Sequence, residues 1–394
     1  MIKVPGFRAA GVACGIKDDA HDLALLVSDV PATAAGVFTR STVVGAPVEW
    51  SRRVARRGRA RAVVVNSGCS NVAVGECGYR DAKAMAELAA AKLGVKTEEV
   101  FVASTGVIGE PLPMANVRRG IGAATARLET TGWEEAARAI MTTDTFPKCA
   151  STRIRLGGRN VTVAGIAKGS GMIEPDMATM LAFLATDAAV SAPILRRVLK
   201  RAADASFNRV TVDGEASTSD TTLLLASGVA GNPLIQNARS PGLRKFEAAV
   251  REVSVALARD LARDGEGATK LITVRVSGAR NSAEAERAAR RIANSVLVKT
   301  AIFGRDPNWG RILQTVGAGR VRLKLDRTEV SLGGVSVFRN GAPTGRAARR
   351  RAARRLEASE VEVSICLGVG RGEAEVWSCD LTYDYVRINA EYTS

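Results

Sequence analysis

The chain has 394 residues, 46% of them hydrophobic and 24% charged, a composition that supports a sizeable core in two or three subdomains and excludes a disordered or fibrous protein. Its formal net charge is +16, with a single histidine and six cysteines. No apolar run of the roughly 18 residues needed to span a bilayer is present, and the first residues lack the apolar stretch of a secretory signal. The expectation is a cytoplasmic protein with no membrane association.

The scarcity of histidine is the most useful constraint. A Ser-His-Asp or Cys-His enzyme would have to use His21, which sits among charges in KDDAHDLALLV. Cys14, Cys69, Cys77, Cys149, Cys366 and Cys379 form no C-x-x-C pair, so they read as buried small hydrophobes rather than zinc ligands or disulfides. Acid–base chemistry must then come from a carboxylate, a lysine, or an amine that is not a side chain. The positive excess lies in two arginine runs, residues 51–62 and 345–358. Neither interleaves aromatics for base stacking, so solvated helix faces are expected and no specific nucleic-acid partner.

In chain order, RAVVVNSG (61–68) reads as a buried strand and DAKAMAELAAAKLG (81–94) as a helix stopped by Gly94. EVFVASTGVIGEPLP (99–113) is a strand running into a loop. Its S-T-G brings backbone N–H groups and a hydroxyl to one point, which is oxyanion geometry but also a common turn. NVTVAGIAKGSG (160–171) and MLAFLATDAAV (180–190) are strands. Residues 191–208 form a helix with Ser191 as N-cap, Pro193 in the first turn, and Ile194, Leu195, Val198, Leu199 and Ala202 on one face. TTLLLASG (221–228) is a buried strand, followed by a loop at 231–242. A long helix then puts Leu243, Phe246, Val250, Val253, Leu257 and Leu261 on one side. KLITVRVSGA (270–279) is a strand and residues 282–295 a helix. The last hundred residues predict strands at VRLKLDR (321–327), EVSL (329–332), VSVFRNGAP (335–343) with an Asn340-Gly341 hairpin, EVEVSICLG (360–368), and AEVWSCDLTYDYVRIN (374–389). The class is α+β, with mixed or antiparallel sheets in that last part. No repeat, linker, G-x-G-x-x-G or P-loop stands out.

Between two of these strands lies PDMATMLAFL (175–184), with Thr179 at the mouth of a buried apolar run. Packing of a β-branched residue is one reading. The other is a nucleophile. A threonine hydroxyl is weak until something takes its proton, and a chain without a usable histidine still has one base: the threonine's own α-amine, of pKa about 7.7–8.0. Freeing that amine requires cleavage between Ala178 and Thr179, by attack of Thr179 Oγ on the preceding carbonyl and hydrolysis of the ester.

Residues 165–188, GIAKGSGMIEPDMATMLAFLATDA, closely resemble the cleavage segment of the ornithine acetyltransferase family of arginine biosynthesis. MTTDTFPK (141–148), VDGEASTSDT (212–221), DGEGATKL (264–271), VKTAIFGRDPNWGRI (298–312) and YVRINAEYTS (385–394) resemble further blocks of that family, in its order. The resemblance implies a self-processing acetyltransferase. It would move an acetyl group from N2-acetylornithine to glutamate through acetyl-Thr179, with no metal or organic cofactor. Some members also acetylate glutamate from acetyl-CoA, and members of both kinds carry these blocks.

The resemblance further implies an α chain (1–178) and a β chain (179–394) that stay associated, two of each in a heterotetramer. The implied fold is a layered αββα core of the self-cleaving Thr-nucleophile type, with a smaller C-terminal α/β domain from about residue 280. Thr105 (side chain) and Gly106 (N–H) would form the oxyanion hole. Thr145, Lys168, Thr179, Glu266, Asn389 and Ser394 would bind substrate, with Lys168 on the α-carboxylate and Glu266 on the ornithine amine. Thr142 and Thr143 compete with Thr145 for its role. Cys69-Ser70, Glu215 and Ser219 depart from the family pattern and bear on pocket shape. A related Ntn-like aminopeptidase or amidohydrolase is the alternative; only a transferase makes N-acetylglutamate when glutamate is supplied.

Overall fold

A computed structural model describes residues 2–18, 20–174 and 180–391. The chain divides into two compact units: residues up to 208 with 215–258, and residues 209–214 with the chain from Arg259 onward.

The first unit holds β1 (Phe7–Val12), β2 (Leu23–Phe38), α1 (Ala46–Arg57), β3 (Arg59–Cys69), α2 (Glu76–Leu93), β4 (Val100–Val107), α3 (Met114–Ala126), α4 (Trp133–Ala139), β5 (Lys148–Leu156), β6 (Arg159–Lys168), β7 (Leu181–Thr186), α5 (Ala192–Ala205), β8 (Thr221–Ala226) and most of α6 (Leu243–Arg263). The strands run β4-β3-β2-β8-β7-β6-β5, with β1 added on β2. The organising element is β2, which sequence patterning missed because Ser28-Asp29-Val30-Pro31 interrupts its apolar run. Pro31 has no N–H to give to a ladder, and the register of β2 shifts between Val27 and Ala32. Before the shift β2 lies between β1 and β3; after it, β2 pairs with β8. A bulge of this kind bends a strand and re-aims it.

The sheet therefore folds into two layers whose inward side chains share one core. Leu23, Leu25, Val63, Val65 and Phe101 come from one layer, and Ile166, Phe183, Leu223 and Leu225 from the other. Helices α1, α2 and α3 cover the first layer and α5 the second. Helix α6 approaches β6 closely at Gly165, where an added Cβ would stand 3.2 Å from Leu257. This is the layered αββα arrangement. Along α5 the buried face is Ile194, Leu195, Val198, Leu199, Ala202 and Ala203, the stripe its spacing predicts. Ser191 occupies the N-cap position, but its side chain makes no cap hydrogen bond.

The second unit holds β9 (Leu271–Ala279), α7 (Ser282–Ala293), α8 (Val296–Phe303), α9 (Trp309–Ala318), β10 (Glu329–Leu332), β11 (Val335–Arg339), β12 (Ala342–Pro343), α10 (Arg346–Arg355), β13 (Glu360–Cys366), β14 (Gly372–Cys379) and α11 (Tyr383–Glu391). Its sheet is mixed, in the order β12-β11-β10-β13-β9-β14, with β9 and β13 parallel. Helix α7 packs on β9 and β14 over a separate core. Because β9 is an interior strand of this sheet, the unit begins upstream of the expected boundary near 280. The Asn340-Gly341 hairpin forms, with φ of 55° and 75°, the left-handed pair a two-residue turn requires.

Two expected strands are not strands. Residues 321–327 end in a short 3-10 turn at Leu325–Arg327 with Leu325 55% exposed; β10 has both its edges taken by β11 and β13. Residues 383–388 are helical. The Asp380 carboxylate, taking the N–H groups of Thr269 and Lys270, closes β14, and the chain turns into α11. The arginine run of α10 behaves as expected: only Ala348 and Ala352 are buried and every arginine is exposed. Three cysteines, Cys14, Cys69 and Cys379, are buried, whereas Cys77, Cys149 and Cys366 are only half-buried; all six are free thiols. Among the described residues no helix is long and apolar enough to cross a membrane.

Candidate active site

Lys168 is the last residue of β6, a strand buried from Val161 onward because it pairs on both edges, with β5 and β7. The residue is 8% exposed at the sheet end, and its ammonium donates to Thr142 Oγ1 at 2.6 Å and to Thr105 Oγ1 at 3.3 Å. Thr105 comes from β4, at the other side of the layered core. Strand ends from both layers and the loop 141–148 thus converge on one ammonium.

What holds the loop there is Asp144. Its side chain is wholly buried and accepts from Lys148 Nζ at 2.6 Å, the Gly169 N–H at 2.6 Å and the Thr142 N–H at 3.0 Å, with Lys168 Nζ at 3.9 Å. Burial alone would raise its pKa. The charges of Lys168 and Lys148 and the hydrogen bonds from Lys148 and Gly169 outweigh it and hold the carboxyl down at about 2. Asp144 is therefore an anion at any working pH. It ties the loop to the chain just after β6, and a Thr143–Ser170 hydroxyl contact of 2.6 Å adds a second tie.

Thr105 and Gly106 lie where the parallel β3–β4 ladder breaks register: Cys69 faces both Thr105 and Val107. Such a bulge frees a strand end to aim its groups elsewhere than at its neighbour. Gly106 has φ of +126° and packs directly on Gly68, whose carbonyl carbon an added Cβ would overlap. Gly106→Ala is expected to cost roughly 1–3 kcal/mol from the dihedral alone, and more with the overlap. Gly122→Ala, on α3 with open space around it, should instead be neutral or stabilising by up to about 1 kcal/mol. Urea unfolding midpoints of the two variants check this; equal midpoints would remove the close approach argued for Gly106.

Thr179 and Ala178 lie outside the described residues, as does Ser394. The flanks of the 175–179 segment are anchored: Glu174 N donates to Glu215 O at 2.8 Å, and Thr221 N donates to Met180 O at 3.0 Å. Asp220, 2% exposed, accepts from the Ser217 side chain and the Met180 N–H. Burial pushes its carboxyl well above the usual range, against those two bonds and the charge of Lys168.

In the second unit, Asn389 Nδ2 donates to Glu266 Oε2 at 2.8 Å, orienting a carboxylate suited to an alkylammonium. Thr145 is exposed on its loop, and Thr142 of the same loop accepts from Lys168. His21 pairs with Glu135 at 3.1 Å.

The sequence reading took MTTDTFPK for its threonines and overlooked Asp144 and Lys148. Opposite charges four residues apart around Phe146-Pro147 were the one signal available, and spacing alone does not say that such a pair is buried. Asp220 carried no signal beyond its place ahead of a buried strand.

The ArgJ family model matches residues 8–394. The chain is 50% identical over 390 residues to the arginine biosynthesis bifunctional protein ArgJ of Symbiobacterium thermophilum, covering 98% of this chain and 96% of that protein. It is similar to the crystal structure of the arginine biosynthesis bifunctional protein ArgJ from Bacillus halodurans, at 42% identity and a TM-score of 0.52, covering 54% of this chain and 100% of that one. It also resembles the ornithine acetyltransferase of Mycobacterium tuberculosis complexed with ornithine, at 43% identity and a TM-score of 0.41, covering 44% of this chain and 94% of that one.

Proposed function

The chain belongs to the ArgJ family, and from that membership we propose how its residues divide the work of acetyl transfer. It is an acyltransferase of arginine biosynthesis. Thr179 is the nucleophile, with its freed α-amine as base after self-cleavage at Ala178–Thr179. Its Oγ attacks the acetyl carbonyl of N2-acetylornithine while the α-amine takes the hydroxyl proton. The C–N bond breaks, the proton passes to the departing nitrogen, and ornithine leaves an acetyl ester on Thr179. The amine of glutamate attacks that ester, its proton returns by way of the α-amine to Thr179 Oγ, and N-acetylglutamate departs. An amide is broken and a similar amide is made, so the cycle needs neither ATP nor a cofactor; acetyl-CoA would enter as a second donor at the same ester.

The observation that carries this reading is the pairing of Lys168 with Thr105 at 3.3 Å. In an N-acyl amino acid the carboxylate and the acyl carbonyl are separated only by the α-carbon and the nitrogen. An ammonium beside a hydroxyl and the Gly106 N–H suits both ends: Lys168 takes the α-carboxylate, and Thr105 with Gly106 takes the developing oxyanion. Thr142 is assigned a substrate-facing place with Lys168, and Thr145 keeps one at the rim of the loop. Glu266 is the residue we assign to an amino group, and Asn389 orients it. We further assign residues 1–178 and 179–394 to associated α and β chains, two of each, in the cytoplasm.

The test is product analysis with N2-acetylornithine as donor. With glutamate present, N-acetylglutamate should form in step with ornithine. Acetate in place of N-acetylglutamate would mark a hydrolase and overturn the transfer reading.

A further inference from the structure

We propose that Lys17 is a substrate-binding residue that shares the α-carboxylate of donor and acceptor with Lys168; this rests on the acyl-transfer reading above. Three features of the first unit support it.

The first is position. The Asp22 carboxylate accepts from the N–H groups of Cys14 at 2.8 Å, Ile16 at 2.6 Å and Lys17 at 3.1 Å, which fixes the turn carrying Lys17. The Lys17 stem then lies over Gly68, so closely that a Cβ there would stand 2.8 Å from Lys17 Cγ. Gly68 is the residue paired with Gly106 across the β3–β4 ladder. Lys17 is thus placed over the backbone that carries the oxyanion donors.

The second is the partner of its charge. Lys17 Nζ donates to the Met141 carbonyl oxygen at 2.8 Å, a neutral acceptor next in sequence to Thr142, which receives Lys168. The two ammonium groups are therefore held by adjacent residues of one loop, close enough for each to feel the other's charge.

The third is the local balance of charge. Lys17, Lys148 and Lys168 lie around the carboxylates of Asp22 and Asp144, and the charge of Lys168 also reaches Asp220, whose carboxyl burial holds towards its neutral form. Three backbone N–H groups occupy Asp22, while Lys148 and two N–H groups occupy Asp144. Burial lowers the Lys17 pKa, Asp22 and Asp144 oppose this, and the like charge of Lys168 adds to it. A bound carboxylate relieves the repulsion between Lys17 and Lys168 and gives each a charged acceptor.

The experiment compares N2-acetylornithine with its α-carboxamide as donors, reading kcat/KM from ornithine or ornithinamide release. Wild type should prefer the carboxylate. In Lys17→Met that preference should fall roughly 10- to 100-fold, the range for a hydrogen bond to a charged group, while Lys17→Arg should keep part of it. A ratio within one variant does not depend on how much of the protein is folded. If Lys17→Met slows both donors equally and leaves the preference intact, Lys17 only tethers the Met141 carbonyl and the proposal fails. If the preference is unchanged and only the KM for glutamate rises, Lys17 reads the acceptor's side chain, which also overturns it. A wild type that releases product from neither donor overturns the acyl-transfer reading and this proposal with it.

Discussion

Thr179→Ala is expected to yield a single uncut chain of 394 residues with acetyl transfer lower by at least about 10⁴-fold. The wild type should give two chains, the second beginning at Thr179. The physical reason is that in the proposed mechanism one residue fills three roles with two groups. Its hydroxyl attacks the Ala178 carbonyl in self-cleavage, the same hydroxyl later carries the acetyl group, and the α-amine released between those events is the base. Removing the hydroxyl removes the first two and keeps the third locked in a peptide bond, so the losses do not add separately. Thr179→Ser retains a hydroxyl and should cleave, more slowly or with altered acetyl transfer, since only the methyl is lost. Intact mass measured on the three proteins is the check. A wild type still uncut after long incubation would leave the hydroxyl without its base, and the nucleophile reading of Thr179 would fall.

The second large effect belongs to Asp144. Asp144→Ala should destabilise the protein by about 3–5 kcal/mol, because deleting one member of a buried ion pair leaves the other charges buried without compensation. Lys148 has no exposed side-chain surface and Lys168 has 9%, so neither ammonium can turn to water in place. Two backbone N–H groups, of Thr142 and Gly169, also lose their acceptor. Asp144→Asn should cost less, since an amide oxygen can still accept.

The pH dependence follows from the direction of the shift. The folded carboxyl titrates at about 2, below its ordinary 3.8. Its stabilising contribution is full above the unfolded value and is lost as pH falls from about 4 towards 2. The amount is on the order of 2 kcal/mol. Urea unfolding of wild type between pH 5 and 2.5 should show this loss, and Asp144→Asn should lack that component. Wild type and Asp144→Asn losing stability in parallel over that range would mean the carboxyl is not held down by its neighbours.

Acetyl transfer tests the same cluster from the functional side. Lys168 is assigned to the substrate carboxylate and also lends its charge to Asp144, so Lys168→Met should weaken both substrate binding and the loop that carries Thr142. Lys17 is less entangled: it feels the Asp144 charge but hydrogen-bonds to the loop at a backbone carbonyl, not at Thr142. That difference is why Lys17, rather than Lys168, gives the cleaner readout of carboxylate recognition.

Much of this protein was determined by its sequence, where local physics decides. The strands at 61–68, 160–168, 181–186 and 221–226 are each built on a short apolar run that favours burial. The helices around 81–94, 191–205 and 243–263 follow from spacing, with Gly94 taking the left-handed stop. A single histidine set among charges leaves the α-amine of Thr179 as the base a threonine nucleophile could use, and motif blocks along the chain point to the family.

Tertiary structure decided the rest. The two-layered core depends on β2 changing partners at Pro31, and a pattern that reads neighbours along one strand does not see which strand lies beside it. Residues 321–327 and 383–388 have local patterns like strands, but the first ends in a turn beside β10, whose two edges are taken, and the second is helical. The contact of Thr142 with Lys168, and the burial of Asp144 with Lys148, turned on how a loop folds over a sheet end. The charge of a side chain is written in the sequence, but its pKa and its partners depend on which distant residues exclude water around it.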